Sequence, residues 1–328
     1  MTGTIRGSKI TPPLPQRQAP KHTVNHLALT GVDKVKAQFN LNGKGVTVAV
    51  LDSGFKYPGV KPEIWKDLGD GSPDPADFHD HGTHVIGEIK EIAPKAQIAA
   101  IRVIKDGKVD LSAILKGINW AIKNQEKYNI KVMNLSLSGP AELIPYGSGE
   151  LKENLTGLIH PPYFYRADQP IRNAVNQALE AGITVVNAAG KEGPKHYTVN
   201  SPGDLPGVIS VGAARDKNRM NPLSSRGPSI EGLNKPDLAA PGYEIHAWKA
   251  SSEEPEWGIY TGATNATAQV SGIAALMLEA DPQLTPQELG NILRETADPM
   301  PRAHPSAQGA GMVNAAAAIE KLKQKNKH

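Results

Sequence analysis

The sequence predicts a three-layer α/β fold with a mostly parallel central sheet, and two observations lead to this prediction. Short apolar runs rich in β-branched residues recur along the chain, as is typical of strands buried on both faces. Amphipathic stretches with apolar residues at helical spacing separate these runs. In a chain of 328 residues, 39% of them hydrophobic, this alternation indicates one large core with helices on both sides of a sheet.

The individual elements follow one another along the chain. Five apolar runs are interpreted as buried strands: residues 46–51, 98–104, 131–135, 183–188 and 208–211. Apolar residues at helical spacing predict helices over residues 111–122 and 171–179. Thr285, Pro286 and Glu288 have the form of a capping box, which predicts a helix that runs to about Thr296.

The chain is predicted to have one domain preceded by an arm. Residues 1–27 are rich in proline, threonine, glutamine and basic residues and show no period, so we expect an extended arm. Residues 28–328 contain neither a repeat nor a linker and are predicted to form a single domain. Within it, a connection at about residues 141–170 carries an aromatic cluster, and connections of that length are usually functional or mobile.

Composition excludes several classes of protein. Lys+Arg 36 against Asp+Glu 33 gives a net charge of +3, too balanced to predict nucleic acid or an anionic membrane as a partner. The chain has no cysteine and therefore no disulfide and no thiolate metal site. No apolar stretch is long enough for a membrane span or a signal segment after Met1, which predicts a cytoplasmic protein; a trimmed secreted enzyme would look the same.

Polar residues at strand and helix ends are the candidates for chemistry. Asp52 ends the first predicted strand, and His81 begins a predicted helix. A histidine can act as general base when a carboxylate fixes its tautomer, and Asp52 could supply that carboxylate. A strand-ending aspartate is also a common structural or capping residue, so this pair alone decides nothing.

The histidine segment also allows a metal-binding interpretation. His79, His81 and His84 lie close in sequence to Asp77 and Asp80, and imidazole and carboxylate groups cluster in this way around metals. However, no second histidine cluster completes such a site, and the H-E-x-x-H spacing is absent. We therefore predict neither a metal nor a cofactor.

A third segment, together with Asp52 and the His81 segment, completes a pattern of three motifs. Residues 262–272 are a run of small residues that leads into an apolar helix. An aspartate at a strand end, His-Gly-Thr-His at a helix start and this glycine-led helix entry, in that order, resemble the subtilisin-like serine proteases, or subtilases. Further motifs support the resemblance over residues 27–318: Ile92-Ala93-Pro94, Asn134-Leu135-Ser136-Leu137, Ala188-Ala189-Gly190, Ser225-Arg226-Gly227-Pro228 and Lys235-Pro236-Asp237.

The resemblance implies a subtilisin-like fold, peptidase chemistry and an extended peptide or protein segment as partner. It places Asp52 and His81 at the acid and base positions. It also implies a cleft for the substrate's primary side chain, lined by Ser136, Leu137, Ser138, Gly139, Ala188, Ala189 and Gly190. An extended peptide would pair with a cleft edge that contains Lys105, Gly107 and Val109.

Two catalytic positions depart from the family pattern. The nucleophile loop of active subtilases reads Gly-Thr-Ser-Met-Ala-x-Pro-His-Val-x-Gly, and Thr264 stands at the serine. In the same loop Asn265, Ala268 and Gln269 replace methionine, proline and histidine, and Lys191 stands at the asparagine of the oxyanion motif Ala-Gly-Asn-x-Gly. Threonine keeps a hydroxyl, but its β-methyl restricts the first side-chain torsion. Ordinary endopeptidase activity is therefore expected to be lost or strongly reduced.

Three functions remain open at this point. The favoured one is a pseudoprotease that keeps the peptidase fold and binds peptide or protein segments. In the second, Thr264 is a working nucleophile with His81 and Asp52, and Lys191 acts as oxyanion donor or base. In the third, the protein is an interaction protein that uses the connection at residues 141–170. The sequence does not predict the oligomeric state.

Two further expectations come from the resemblance. Many subtilases place a calcium-binding loop after the histidine helix, but here residues 88–91 run directly into residues 92–94, so we expect no calcium there. The arm at residues 1–27 resembles the short pro-extension of intracellular subtilisins, which lies over the active cleft. Its proline-rich segment would dock along a cleft edge with little loss of entropy, whereas a disordered terminus is the alternative.

Overall fold

The computed structural model describes residues 25–105, 108–136, 143–145, 164–166, 168–251 and 253–325. Its strands are β1 Thr47–Asp52, β2 Ile64–Asp67, β3 Gln97–Arg102, β4 Ile104–Lys105, β5 Lys108–Val109, β6 Ile130–Leu135, β7 Leu143–Pro145, β8 Phe164–Arg166, β9 Thr184–Ala188, β10 Ile209–Ala214, β11 Leu238–Pro241, β12 Ile245–Lys249 and β13 Glu256–Tyr260. Its helices are α1 His26–Leu29, α2 Val32–Phe39, α3 His81–Ile92, α4 Leu111–Lys123, α5 Gln125–Tyr128, α6 Gln169–Glu180, α7 Ala263–Ala280, α8 Pro286–Glu295, α9 Pro305–Gln308 and α10 Ala315–Lys325.

Seven strands form the central sheet in the order β11-β10-β9-β6-β1-β3-β2. Each neighbouring pair in this sheet is parallel. Residues of β1, β6 and β9 are almost all buried, which explains why apolar residues predominate in these strands and do not alternate with polar ones. The predicted α/β fold with a mostly parallel sheet is confirmed.

The helices cover both faces of this sheet. On one face, α3 and α7 pack together in a core with α8 and α10, through residues such as Ile89, Ala274 and Leu289. On the other face, α4 and α6 form a second core through Ile118 and Val175. Most residues of α7 are buried, so its apolar and small residues are not confined to one stripe of the helix.

The predicted capping box is present at the start of α8. The Glu288 backbone N–H donates to the Thr285 hydroxyl at 3.3 Å, and the Thr285 backbone N–H donates to the Glu288 carboxylate at 3.1 Å. Two backbone donors that the helix leaves unpaired are satisfied in this way. Among the described helices, none combines the length and the apolar character that crossing a membrane requires.

Two predicted segments lie largely outside the described residues. Of the predicted arm at residues 1–27, the structure describes only residues 25–27, where α1 begins at His26. Of the connection at residues 141–170, it describes β7 and β8, which pair in a small antiparallel sheet, and the start of α6. Part of that connection is therefore regular structure, which the sequence analysis did not predict.

Candidate active site

Asp52 is the last residue of β1 and is delivered to the carboxyl edge of the sheet. Its side chain is 1% exposed, and its Oδ1 lies 2.7 Å from His81 Nδ1 and accepts the Ser53 backbone N–H at 2.6 Å. Gly54 follows in a left-handed conformation, with φ of 127°. A Cβ there would stand 1.9 Å from the Ala76 carbonyl oxygen, so the strand can leave the sheet at this angle only with glycine.

His81 is held by the loop that precedes α3. The Asp77 carboxylate accepts the backbone N–H groups of His79 and Asp80, each at 3.0 Å, and that of Thr83 at 2.8 Å. The Ser53 hydroxyl donates to the same carboxylate at 2.8 Å, which ties this loop to the end of β1. Asp77 therefore positions the histidine segment relative to Asp52.

Thr264 completes a chain of three side chains. It is the second residue of α7, and its Oγ1 lies 3.2 Å from His81 Nε2. With the Nδ1 proton donated to Asp52, Nε2 is free to accept a proton from the Thr264 hydroxyl. The acid, base and hydroxyl that the sequence analysis named are thus brought together.

The surroundings shift the pKa values of His81 and His84 in opposite directions. Burial lowers the pKa of His81, but the charge and hydrogen bond of Asp52, with the charges of Asp77 and Asp80, outweigh it and raise the pKa overall. Burial and the neighbouring His81 lower the pKa of His84 to about 3, so its ring stays neutral. Proton transfer at neutral pH is therefore concentrated on His81.

The hairpin before α7 packs against the histidine helix. The Tyr260 ring stacks on His84 with centroids 4.1 Å apart, and His84 meets His81 edge-on at 4.9 Å. The Tyr260 hydroxyl and the Ala250 backbone N–H both donate to the Asp80 carboxylate. These contacts link β12 and β13, and hence the start of α7, to the residues that carry His81.

A cleft of about 320 Å³ adjoins these side chains. Six of the residues named from the sequence line it: His81, Ser136, Ala188, Gly190, Lys191 and Thr264. Ala189 is buried instead, because its backbone N–H donates to Val211 and its carbonyl oxygen accepts the Asn200 N–H. Its side chain does not line the cleft.

Other lining residues were missed by the sequence analysis: Glu192, Asn200, Ala213, Asn221, Leu223, Ser224, Thr261, Gly262 and Ala263. Most of them follow β9 or β10 or precede α7. Because the carboxyl ends of parallel strands share one edge, polar residues in the loops after β9 and β10 were the signal that could have found them.

Lys191 and Glu192 shape one wall of the cleft. Gly190, with φ of 115°, turns the chain after β9, and the Lys191 side chain is exposed. Glu192 Oε2 accepts the Lys191 backbone N–H at 2.8 Å, the Asn200 amide at 2.9 Å and the Ser225 hydroxyl at 3.2 Å. The Glu192 carboxylate is therefore engaged by neutral donors of its own wall.

Three of the five departures from the subtilase pattern lie away from the cleft. Asn265, Ala268 and Gln269 are each at most 1% exposed inside α7. The Gln269 amide donates to the Pro241 carbonyl oxygen at 2.8 Å and contacts the Glu88 carboxylate at 3.4 Å. These residues pack α7 against its neighbours, whereas Thr264 and Lys191 face the cleft.

The other residues predicted to bind substrate lie in a small antiparallel sheet or outside the described residues. Lys105 and Val109 lie in the antiparallel pair β4–β5, and Gly107 is outside the described residues. Leu137, Ser138 and Gly139 are outside them as well. Nowhere in the described ranges do three His, Asp or Glu side chains form a group that could hold a metal.

Comparison with known proteins identifies the family. Residues 43–314 match the Subtilase family. The chain belongs to that family. This subtilase is 33% identical over 311 residues to serine protease AprX of Bacillus subtilis, a match that covers 84% of this chain and 66% of AprX. It is 30% identical over 309 residues to subtilisin of Bacillus pumilus, covering 88% of this chain and 98% of that protein.

Solved structures give the same fold. Proteases from Pseudoalteromonas arctica superpose with a TM-score of 0.69 at 25% identity, covering 90% of this chain and 94% of theirs. Sphericase superposes with a TM-score of 0.67 at 24% identity, covering 87% of this chain and 97% of its own. The resemblance stated from the motifs is confirmed, and so is the subtilisin-like peptidase fold.

Proposed function

We propose that this subtilase binds extended peptide or protein segments in its cleft and has lost ordinary peptidase turnover. The observation that carries the proposal is the position of Thr264 and Lys191: both line the cleft, where subtilases carry the nucleophilic serine and the oxyanion asparagine. The cleft has a volume of about 320 Å³, and the three departures buried in α7 do not line it.

The two cleft substitutions act on different parts of the reaction. Attack on a peptide carbonyl needs sub-ångström placement of the hydroxyl, and the threonine β-methyl restricts the rotation that provides it. The oxyanion position normally offers a neutral, preorganised donor where charge develops, and removing one such donor costs about 10²–10³ in turnover. Binding of a peptide needs neither feature, so it can persist when turnover is lost.

A second candidate function is peptide hydrolysis with Thr264 as nucleophile. One specific observation favours it: His81 Nδ1 lies 2.7 Å from Asp52 and His81 Nε2 lies 3.2 Å from the Thr264 hydroxyl, within reach of general-base catalysis. In this function the exposed Lys191 ammonium would donate to the developing oxyanion.

Two measurements on the whole chain distinguish the candidates. Binding is tested by fluorescence anisotropy with a mixed set of labelled extended peptides, and absence of saturable binding would refute the favoured proposal. Hydrolysis is tested by a fluorophosphonate probe with intact mass and by cleavage of the same peptides. An adduct on Thr264, or cleavage above that of a Thr264→Ala control, would establish the second candidate.

A further inference from the structure

Lys191 brings a positive charge to the cleft without a carboxylate to neutralise it. The buried cations of this protein are each paired with an acid: Lys90 with Glu63 at 3.1 Å, Arg102 with Asp67 at 3.0 Å, Arg172 with Asp204 at 2.6 Å and Lys235 with Asp237 at 2.7 Å. Within the described part of the chain, no carboxylate lies within ion-pair distance of the Lys191 ammonium.

The acid nearest in sequence is occupied elsewhere. Glu192 Oε2 accepts the Lys191 backbone N–H, the Asn200 amide and the Ser225 hydroxyl. The Ser225 hydroxyl in turn accepts the Glu192 backbone N–H at 3.0 Å. The hydrogen bonds of the Glu192 carboxylate are therefore made to its own neighbours and not to the Lys191 ammonium. Among the described residues no carboxylate pairs with the Lys191 ammonium, which is exposed and accessible to a ligand.

His81 adds a second donor on the same cleft. Its side chain is 33% exposed, and its Nε2 faces Thr264 while Nδ1 is held by Asp52. A protonated imidazole donates from Nε2, and His81, Thr264 and Lys191 line the same cleft, so an anion in that cleft has these three side chains as candidate donors. Charge-assisted hydrogen bonds of this kind are stronger than those between neutral groups.

The chemistry of the ligand follows from the charge of the donor. A neutral amide in the oxyanion position suits a carbonyl oxygen that becomes negative only during reaction. An ammonium in that position suits an oxygen that is already negative when the ligand binds. The backbone carbonyl of an intact peptide is neutral, whereas the terminal carboxylate of a peptide carries a full charge at neutral pH.

We infer that the cleft takes peptides that end in a free carboxylate, with the Lys191 ammonium and the His81 imidazole on the two terminal oxygens. The last side chain of the peptide then enters the part of the cleft lined by Ser136, Ala188 and Gly190. This inference rests on the proposed peptide-binding function and names its ligand class. Internal segments and amidated peptides bind more weakly because they leave the ammonium without a negative partner.

The test uses two libraries of N-acetylated hexapeptides with the same randomised positions and no acidic residues. One library ends in a carboxylate and the other in a carboxamide, so the terminal charge is the only difference. Peptides retained by the immobilised full chain are counted by mass spectrometry. We expect about two- to fivefold enrichment of the carboxylate library, which is the upper part of the range that an exposed charge pair contributes to affinity.

A matched pair of variants assigns the effect. Lys191→Met keeps the length of the side chain and removes its charge, and the enrichment should fall to the smaller value that His81 alone supports. Lys195→Met changes another exposed lysine of the same loop that does not line the cleft, and the enrichment should remain. Raising the salt concentration from about 0.05 to 0.5 M should reduce the wild-type enrichment as charges are screened.

Each outcome decides between the proposals. Equal retention of both libraries by the wild-type chain, or an enrichment that is undiminished in Lys191→Met or in high salt, overturns the inference and leaves the peptide-binding function in place. Retention of neither library overturns the peptide-binding function itself and the inference with it.

Discussion

Restoring the two substituted cleft positions, Thr264 and Lys191, to the family's serine and asparagine should restore peptidase turnover in two steps of different size. The Asp52–His81 contact at 2.7 Å and the His81–Thr264 contact at 3.2 Å show that the base and the hydroxyl are already in place. Thr264→Ser therefore only removes the β-methyl. A torsion held about 30° from its well costs about 0.5–1.5 kcal/mol, so this step is worth about 2- to 10-fold in kcat.

Replacing the oxyanion donor should give the larger gain in kcat. Adding Lys191→Asn to Thr264→Ser should raise kcat by a further factor of about 10²–10³, or about 2.7–4 kcal/mol in activation free energy. Lys191→Asn alone should gain less than this, because the nucleophile and the oxyanion donors act as a unit. Asn265, Ala268 and Gln269 need no reversal, since they are buried in α7 away from the cleft.

The assay is hydrolysis of a chromogenic peptide anilide, with the number of competent sites counted by a fluorophosphonate probe. The double variant with Asp52→Asn added is the control for adventitious protease. A double variant that is folded, binds peptides and remains inert would refute the reasoning. It would mean that the neighbours of the cleft, rather than these two positions, prevent catalysis.

Three further predictions concern charge, stability and the N-terminal residues. Asp52→Asn should lower the pKa of His81; in the wild-type chain the raised pKa means that protonated His81 stabilises the folded state below about pH 6.5, and this contribution is lost as pH rises through the folded-state pKa. An NMR titration of the histidine side chains measures the pKa of His81 in the wild-type chain and in Asp52→Asn. Arg172→Ala should lower the free energy of unfolding in urea by about 3–5 kcal/mol, because it removes a buried ion pair in which the Arg172 side chain is 5% exposed and that of Asp204 2%. Deleting residues 1–20 should tighten peptide binding in anisotropy titrations if the arm covers the cleft.

Each of these has its own control. A His81 pKa that is the same in Asp52→Asn and in the wild-type chain would contradict the role given to Asp52. Arg219→Ala, at a side chain 62% exposed in an ion pair with Asp216, should cost about 1 kcal/mol or less. Equal costs for the two arginines would contradict the burial argument. Unchanged peptide affinity after the deletion, in a folded protein, would assign the arm to disorder or to another surface.

The sequence predicted those parts of the molecule that depend on local pattern. Asp52 could be placed because a buried apolar run ends at it. The start of α8 could be placed because Thr285, Pro286 and Glu288 form a recognisable capping box. The role of Asp77 could not be read in this way. In sequence it looked like one of several possible metal ligands; in the structure it accepts three backbone N–H groups and the Ser53 hydroxyl, 24 residues earlier. Of these donors only the Ser53 hydroxyl is distant in sequence, and the close approach of its loop to Ala76, which Gly54 permits, brings it to Asp77.

The retained Asp52–His81 pair carries less weight for catalysis than its geometry suggests. Asp52 is 1% exposed, and its carboxylate faces His81 and the Ser53 N–H; replacing His81 would strip a buried charge of its strongest partner, which costs several kcal/mol in comparable sites. Folding alone therefore gives a reason to keep both residues. Thr264 and Lys191 face the cleft and are under no such constraint, so they report on function more directly. Both are substituted relative to the family pattern, and under the proposed function the charge gained at Lys191 would serve a bound anion rather than a transition state, which is why we propose binding for this site.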